Sequence, residues 1–195
     1  MYFCVKNNRM NNNQSKTEFF YAAALVIIGI GSRLAFNALE VYNFNAVTAA
    51  SVFAGAYLLR SRWAYIIPIV TMLVTDAVLG FYYLPAMVMT YGALLLCAFI
   101  GSNYAKKPSL GKWVGVTLGS SLAFYIITNF GAWAFQTVQP QLYPMTFDGL
   151  IMSYVNAIPF YRNSLVSDVA FSAIFFTGFE MAKVFLPAKR KTVAA

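Results

Sequence analysis

Long apolar stretches separated by short polar connections dominate this chain of 195 residues. A helix rises about 1.5 Å per residue, so an apolar run of about 20 residues can cross a lipid bilayer. By that criterion the pattern predicts six membrane-spanning helices, two of them short and joined by a tight basic turn. We place them at residues 18–38, 46–60, 63–81, 87–105, 112–136 and 164–186. The predicted fold class is an all-α integral membrane protein, a bundle of six transmembrane helices.

Polar segments flank and interrupt this bundle, which we assign to residues 18–187. A polar tail at 1–17 precedes it, and a basic tail at 188–195 follows it. The connection 137–163 is too long for a plain turn and is rich in aromatic residues. We expect it to contain a short amphipathic helix at 148–157 over the outer mouth of the bundle. The alternative is an interfacial helix that only anchors the protein.

Charge is sparse and unevenly placed. Only 10% of the residues are charged and 60% are hydrophobic, although the net charge is +8. The basic residues fall in short clusters at 60–62, 106–112 and 183–191, which alternate with connections almost free of lysine and arginine. This positive-inside pattern predicts that both termini are cytoplasmic. We expect a multi-pass protein of the bacterial cytoplasmic (inner) membrane. Its predicted partners include the lipid bilayer but no nucleic acid.

Few residues offer catalytic or metal chemistry. The chain has no histidine, which removes the usual general base and the commonest metal ligand. Its two cysteines, Cys4 in the tail and Cys97 in an apolar helix, form neither a disulfide framework nor a metal cluster. We therefore expect no metal, no cofactor and no enzymatic activity. An enzyme that acts on lipid through two carboxylates is a third alternative.

Two opposite charges, Arg33 and Asp76, lie alone inside apolar helices. Each is about fourteen residues from the predicted cytoplasmic end of its helix, hence roughly 20 Å deep in the membrane. Asn129 and Asp168 reach nearly the same depth by the same count. Because ionisable groups at this depth are costly, they indicate either a functional site or a structural ion-pair network that binds nothing.

Aromatic residues are concentrated at this same level, and with the polar groups they describe a concave site with flat walls. A planar, vitamin-like or nucleobase-like solute would suit it. The predicted substrate-binding residues are Arg33, Asn37, Asp76, Tyr83, Tyr91, Asn129, Trp133 and Asp168. The predicted lid consists of Tyr143, Tyr154, Phe160 and Arg162.

Small residues recur at every fourth position in three helices, a spacing that lets helix backbones approach closely in lipid. The three ridges are Ala46-Ala50-Ala54, Ala93-Cys97-Gly101 and Gly115-Gly119-Ala123. They indicate internal packing, or a surface on which another membrane protein docks.

Several runs resemble those of an uncharacterised family of small bacterial membrane proteins. They are Asn43–Val47, Phe53–Tyr57, Thr75–Gly80, Thr128–Gly131 and Ala157–Asn163. The architecture is similar to the substrate-binding S-component of energy-coupling-factor (ECF) transporters. That resemblance implies capture of a vitamin or metal ion from outside and transfer to an ATP-driven module. Some relatives, including solitary vitamin B12 carriers, are thought to work without a dedicated module.

From these features we expect an S-component-like subunit that takes up a small, vitamin-like or aromatic solute from the outer face. The chain contains no G-x-x-x-x-G-K-[ST] motif, so energy would come from a partner, either an ATP-driven module or another membrane protein. The alternative is a non-transporting scaffold or accessory subunit of a larger membrane complex.

Overall fold

The computed structural model describes residues 2–58, 62–104, 109–136 and 142–185, which form six α-helices and no strand. The helices are α1 (Tyr2–Ala38), α2 (Val47–Tyr57), α3 (Trp63–Leu79), α4 (Leu84–Tyr104), α5 (Leu110–Ala134) and α6 (Phe147–Phe185). Four of them contain segments long and apolar enough to cross a membrane, namely Thr17–Ala38, Leu84–Asn103, Leu110–Ala134 and Phe147–Met181. The predicted all-α class with six helices is confirmed.

Helix α2 is the centre of the bundle. It packs against each of the other five helices, and ten of its eleven residues are buried. At about 16 Å it is only half as long as the oily core of a bilayer is thick. Its short length leaves space above its N-terminus that the longer helices surround.

Small residues allow α2 and α4 to lie in direct backbone contact. A Cβ atom at Gly55 of α2 would overlap the carbonyl oxygen of Ala98, and one at Gly101 of α4 would overlap that of Val52. The ridges Ala46-Ala50-Ala54 and Ala93-Cys97-Gly101 are buried in the described bundle. Two of the three predicted ridges are therefore internal packing surfaces.

The C-terminal end of α2 is closed by aromatic side chains. The ring of Phe53 lies 6.0 Å from that of Trp113, 5.7 Å from that of Phe175 and 5.6 Å from that of Phe179. The indole of Trp113 also donates a hydrogen bond to the Ser172 carbonyl on α6 at 3.3 Å. Apolar rings therefore pack solidly at this end, whereas the N-terminal end of α2 is polar.

Helix α6 corrects one prediction. The expected separate helix at 148–157 and a sixth span beginning at 164 are wrong, because α6 runs without a break from Phe147 to Phe185 with Pro159 inside it. Proline removes one backbone donor but does not always break an apolar helix that neighbours support. Here the Tyr125 hydroxyl donates to the Tyr154 carbonyl at 2.6 Å, and the Tyr154 hydroxyl donates to the Ile126 carbonyl at 3.1 Å. This pair holds α6 against α5 just before the proline.

The ends of α2 to α5 lie within three residues of the predicted ones, whereas α1 and α6 begin much earlier than predicted. Helix α4 begins at Leu84 instead of 87, and α5 begins at Leu110, where the Ser109 side chain accepts a hydrogen bond from the Lys112 amide. The backbone of the predicted polar tail is helical from Tyr2 onward. The predicted orientation depends on clusters of lysine and arginine, and many of these residues lie outside the described parts of the chain. They are Arg60, Lys106, Lys107 and those of the tail 188–195.

We predict that Gly55→Ala destabilises the protein by about 1–3 kcal/mol, because the new methyl group meets backbone that cannot rotate away. Gly119→Ala on α5 is the matched control, since a Cβ atom there meets nothing within 4 Å. The control should be neutral or stabilising by up to about 1 kcal/mol. Thermal unfolding in detergent measures both, and equal melting temperatures for the two variants would refute the close α2–α4 contact.

Candidate functional site

The two isolated charges of the sequence form an ion pair. Arg33 reaches from α1 to α3, where its Nη1 atom lies 2.6 Å from Oδ1 of Asp76. The same nitrogen donates a hydrogen bond to the Thr75 hydroxyl. Asp76 is fully buried, whereas 19% of the Arg33 side chain is exposed. The carboxylate is thus enclosed, and the guanidinium keeps one accessible side.

Tyr91 of α4 completes this ion-pair network of Arg33, Thr75, Asp76 and Tyr91. Its hydroxyl donates to Oδ2 of Asp76 at 2.6 Å, so both oxygens of the carboxylate have a close partner. The Thr75 hydroxyl in turn donates to the Thr71 carbonyl at 2.9 Å. Such compensation is what a buried carboxylate requires, and it ties α1, α3 and α4 together.

A cavity of about 270 Å³ opens beside the accessible side of Arg33, above the N-terminus of α2. Arg33 is its one charged lining residue in the part of the chain that the structure describes. The smaller polar side chains around it are Asn43, Asn45, Thr48, Thr90, Thr128 and Ser164. Its apolar lining is Val47, Met72, Leu94 and Phe124.

Tyr82, in the connection between α3 and α4, also lines the cavity. Its hydroxyl interacts with the side chain of Thr90. Burial raises the pKa of the Tyr82 phenol above its ordinary value, which already lies well above neutral pH, so the hydroxyl is protonated and able to donate. Tyr82 and Phe124 give the polar cavity two aromatic rings.

The cavity is electropositive for two reasons. Arg33 supplies a positive charge, and the N-terminus of α2 supplies the positive end of a helix dipole, since Val47 and Thr48 both line the cavity. The Asn45 side chain accepts from the Val47 amide at 3.0 Å, and the Ser32 hydroxyl accepts from the Ala46 amide at 3.0 Å. These two backbone donors are therefore occupied, and the charged donor that faces the cavity is the Arg33 guanidinium.

The connection between α1 and α2 is held in an unusual shape over this cavity. Glu40 and Asn43 have positive φ angles of 58° and 61°. Asn163 of α6 donates to the Tyr42 carbonyl at 3.1 Å, and Ser164 donates to the Asn43 carbonyl at 3.2 Å. Helix α6 thereby fixes the backbone that presents Asn43 to the cavity.

Asp168 is a second buried carboxylate, on α6, and only 2% of it is exposed. The hydroxyls of Thr48 on α2 and Ser121 on α5 face it. It does not line the cavity itself but lies behind Thr48, which does. Asp168 therefore belongs to a separate polar cluster beneath the cavity.

Of the predicted binding residues, Arg33, Asp76 and Tyr91 come together in the ion-pair network, and Arg33 reaches the cavity. Asn37 and Tyr83 are exposed on the outside of the bundle. Asn129 donates to the Tyr125 carbonyl of its own helix at 2.8 Å, and Trp133 donates to the Pro144 carbonyl at 3.0 Å. None of these last four is among the described lining residues.

The predicted lid residues also lie apart from the cavity. Tyr143 is buried beside the C-terminal end of α5, where its carbonyl accepts from the Gln136 amide group at 2.8 Å. Tyr154 pairs with Tyr125, and Phe160 and Arg162 are exposed on α6. In this conformation the described residue of α6 that touches the cavity is Ser164.

Sequence reasoning missed the hydroxyl residues of the cavity, Thr48, Thr90, Thr128 and Ser164. A threonine or serine in an apolar helix often bonds to its own backbone, as Thr128 does to the Phe124 carbonyl at 2.9 Å. Such a residue therefore gives no signal of a site. These residues lie on α2, α4, α5 and α6, none of which carries Arg33 or Asp76, so the isolated charges gave no hint of them.

In the described parts of the chain the protein is all-helical, and four of its helices are long and apolar enough to cross a membrane. The chain belongs to the family DUF6580, described as a family of unknown function, which matches residues 13–189. No curated protein and no solved structure gives a significant match. Family membership thus supplies no activity, and the resemblance to S-components is a hypothesis to be argued from the site.

We predict that Arg33→Gln destabilises the protein by about 3–5 kcal/mol, because it leaves the buried Asp76 carboxylate without a cation. Asp76→Asn should cost less, since the Arg33 side chain is partly accessible. Tyr91→Phe should cost about 1.5–3 kcal/mol through loss of its bond to the carboxylate, and Tyr83→Phe on the exposed surface should cost nothing measurable. Thermal unfolding in detergent measures these values.

The double variant Arg33→Gln with Asp76→Asn tests the coupling directly. It replaces the ion pair by two amides, so its loss of stability should be smaller than the sum of the two single losses. Simple additivity would contradict the ion pair.

Proposed function

We propose that this protein is a solute-binding subunit of an uptake system in a bacterial cytoplasmic membrane, similar in role to the S-component of ECF transporters. The observation that carries the proposal is the cavity beside Arg33, a polar hollow inside an otherwise apolar helical bundle. Hollows lined by a few orienting polar groups and aromatic rings are the usual form of small-molecule sites. A purely structural network would not need the space.

The volume of the cavity limits the size of the solute that can bind. Its volume of about 270 Å³ lies just below the range of roughly 300–1,000 Å³ that is common for small-molecule sites. A single-ring or two-ring heterocycle fits this space, whereas a corrinoid such as vitamin B12 is several times too large. The size therefore argues for a small vitamin-like molecule and against the vitamin B12 carriers as a functional parallel.

The charge of the cavity lining limits which functional groups the solute can carry. The described lining contains one cation and no carboxylate, and the positive end of α2 adds to the same potential. Arg33 is oriented by Asp76 and Thr75, which prepares its remaining donors for a planar acceptor group. We therefore favour a flat ring that carries a carboxylate or carbonyl, held between Tyr82 and Phe124.

In this proposal six helices lie in the membrane with both termini in the cytoplasm. The short helices α2 and α3 are surrounded by, or paired with, the four longer ones. Energy for uptake would come from a partner, for which an ATP-driven module is our first candidate.

We predict that Thr128→Phe abolishes solute retention, because the new ring occupies the cavity that Thr128 lines. Ile126→Phe is the matched control, since the side chain of Ile126 is exposed on the outside of the same helix. Native mass spectrometry of protein purified in detergent should show a bound small molecule in the wild type and control but not in Thr128→Phe. Melting temperatures show whether both variants are folded.

The proposal fails if the wild type carries no small molecule and no member of a panel of heterocyclic carboxylates, carboxamides and nucleobases raises its melting temperature. It also fails if Thr128→Phe is folded and keeps the same bound mass as the control.

A second candidate function, a scaffold in a larger membrane complex, is favoured by the third small-residue ridge. Gly115 and Gly119 are exposed and line a groove of about 640 Å³ between α4 and α5, together with Ile100, Asn103, Lys112 and Val116. Exposed small residues let another helix approach closely in lipid. The groove would serve a scaffold, and equally the docking of an energy-supplying partner.

We predict that Gly119→Leu removes a co-purifying membrane protein without lowering the melting temperature, because the new side chain occupies the exposed groove and its Cβ atom has no neighbour within 4 Å. Gly178→Leu on α6 is the control, since it lies outside the groove and also has open space around its Cβ position. Affinity purification from the native membrane, with quantitative mass spectrometry, measures the partner. A partner that survives Gly119→Leu in full would exclude docking at this ridge.

A further inference from the structure

Asp168 differs from Asp76 in lacking a cation. Both carboxylates are buried, but Asp76 contacts Arg33, whereas Asp168 forms no ion pair with any residue that the structure describes. A carboxylate removed from water without a counter-charge is one of the most costly groups that an apolar interior can hold. Its position therefore calls for neutralisation, by a proton or by a positive charge from outside the described residues.

Hydroxyl oxygens from two other helices surround this carboxylate. Thr48 of α2 and Ser121 of α5 face it, and the phenol of Tyr161, two turns earlier on α6, approaches Ser121. Ser121 is 1% exposed, and its oxygen makes no hydrogen bond of normal geometry within the described structure. A fully buried hydroxyl without a hydrogen bond of normal geometry, beside a buried carboxylate, is the independent sign of a missing ligand.

We propose that Asp168, Thr48 and Ser121 form a binding site for one sodium ion. The oxygens of a carboxylate and of hydroxyls are ligands for a hard cation, and three helices supply them from different sides. A single carboxylate balances a single positive charge, which favours a monovalent over a divalent ion. Cys97 lies near enough to act electrostatically on Asp168, but its soft sulfur is no ligand for sodium.

The proposed ion site lies directly behind the cavity wall, because Thr48 faces Asp168 and also lines the cavity beside Arg33. The proposal is independent of which solute fills the cavity, and of whether any does.

The experiment uses the full chain purified in detergent at a fixed pH. Binding of radioactive sodium is measured by scintillation proximity, and the melting temperature is compared in sodium chloride and potassium chloride of equal ionic strength. We expect saturable binding of sodium and a melting temperature that rises by several degrees in sodium, since a ligand stabilises the state that binds it. Asp168→Asn should lose both effects.

Two serine variants keep the test decisive if Asp168→Asn does not fold. Ser121→Ala should weaken sodium binding by roughly tenfold or more, because it removes an oxygen from the site. Ser167→Ala should bind normally, although Ser167 is equally buried beside Asp168, because its hydroxyl donates to the Ser164 carbonyl at 2.9 Å within α6.

Wild-type protein that shows no saturable sodium binding and equal melting temperatures in the two salts would overturn the proposal. A carboxylate occupied by a proton alone gives that result. Equal sodium affinities of Ser121→Ala and the wild type would also overturn it.

Discussion

The burial of Asp76 is the constraint on which the half of the bundle around the N-terminus of α2 depends. A fully enclosed carboxylate is tolerated only with a cation and hydrogen-bond donors at its oxygens, and these come from α1 and α4. Because Arg33 must reach Asp76 across the gap between α1 and α3, the direction of its guanidinium is set by the pair. The accessible side of the same group then faces the cavity, so one interaction both joins three helices and presents a charge to solvent or solute.

Helix α2 makes this arrangement possible through its length and its small residues. Gly55 and Gly101 bring the backbones of α2 and α4 together, while the rings around Phe53 fill the C-terminal end. With one end packed solidly and the helix only about 16 Å long, the unfilled volume falls at its N-terminus. The dipole of α2 therefore points its positive end into the same cavity as Arg33, and the two fields reinforce each other.

Much of the fold could be predicted because helix-forming apolar runs and isolated charges give strong signals. Arg33 and Asp76 stood out because charges are rare at such depth, and a rise of about 1.5 Å per residue placed them at one level. Counting residues from the end of a helix gives the depth of a side chain but not the side of the helix on which it lies. For this reason the predicted site included Asn37 and Tyr83, which are exposed on the outside of the bundle. The continuity of α6 was missed because Pro159 indicates a break locally, while the support from Tyr125 and Tyr154 is tertiary.

The two buried carboxylates divide the polar interior into parts with different chemistry. Asp76 is paired with Arg33 and Tyr91 within the protein, and this network leaves a positive surface for an acceptor group. Asp168 faces hydroxyls, which carry no positive charge, so in our proposal a sodium ion completes its cluster. Thr48 belongs to both the cavity lining and this cluster, and it lies in the first turn of the central helix α2. A ligand in the cavity and an ion at Asp168 would therefore compete for, or share, the orientation of one hydroxyl, which gives the two sites a direct physical means of influencing each other.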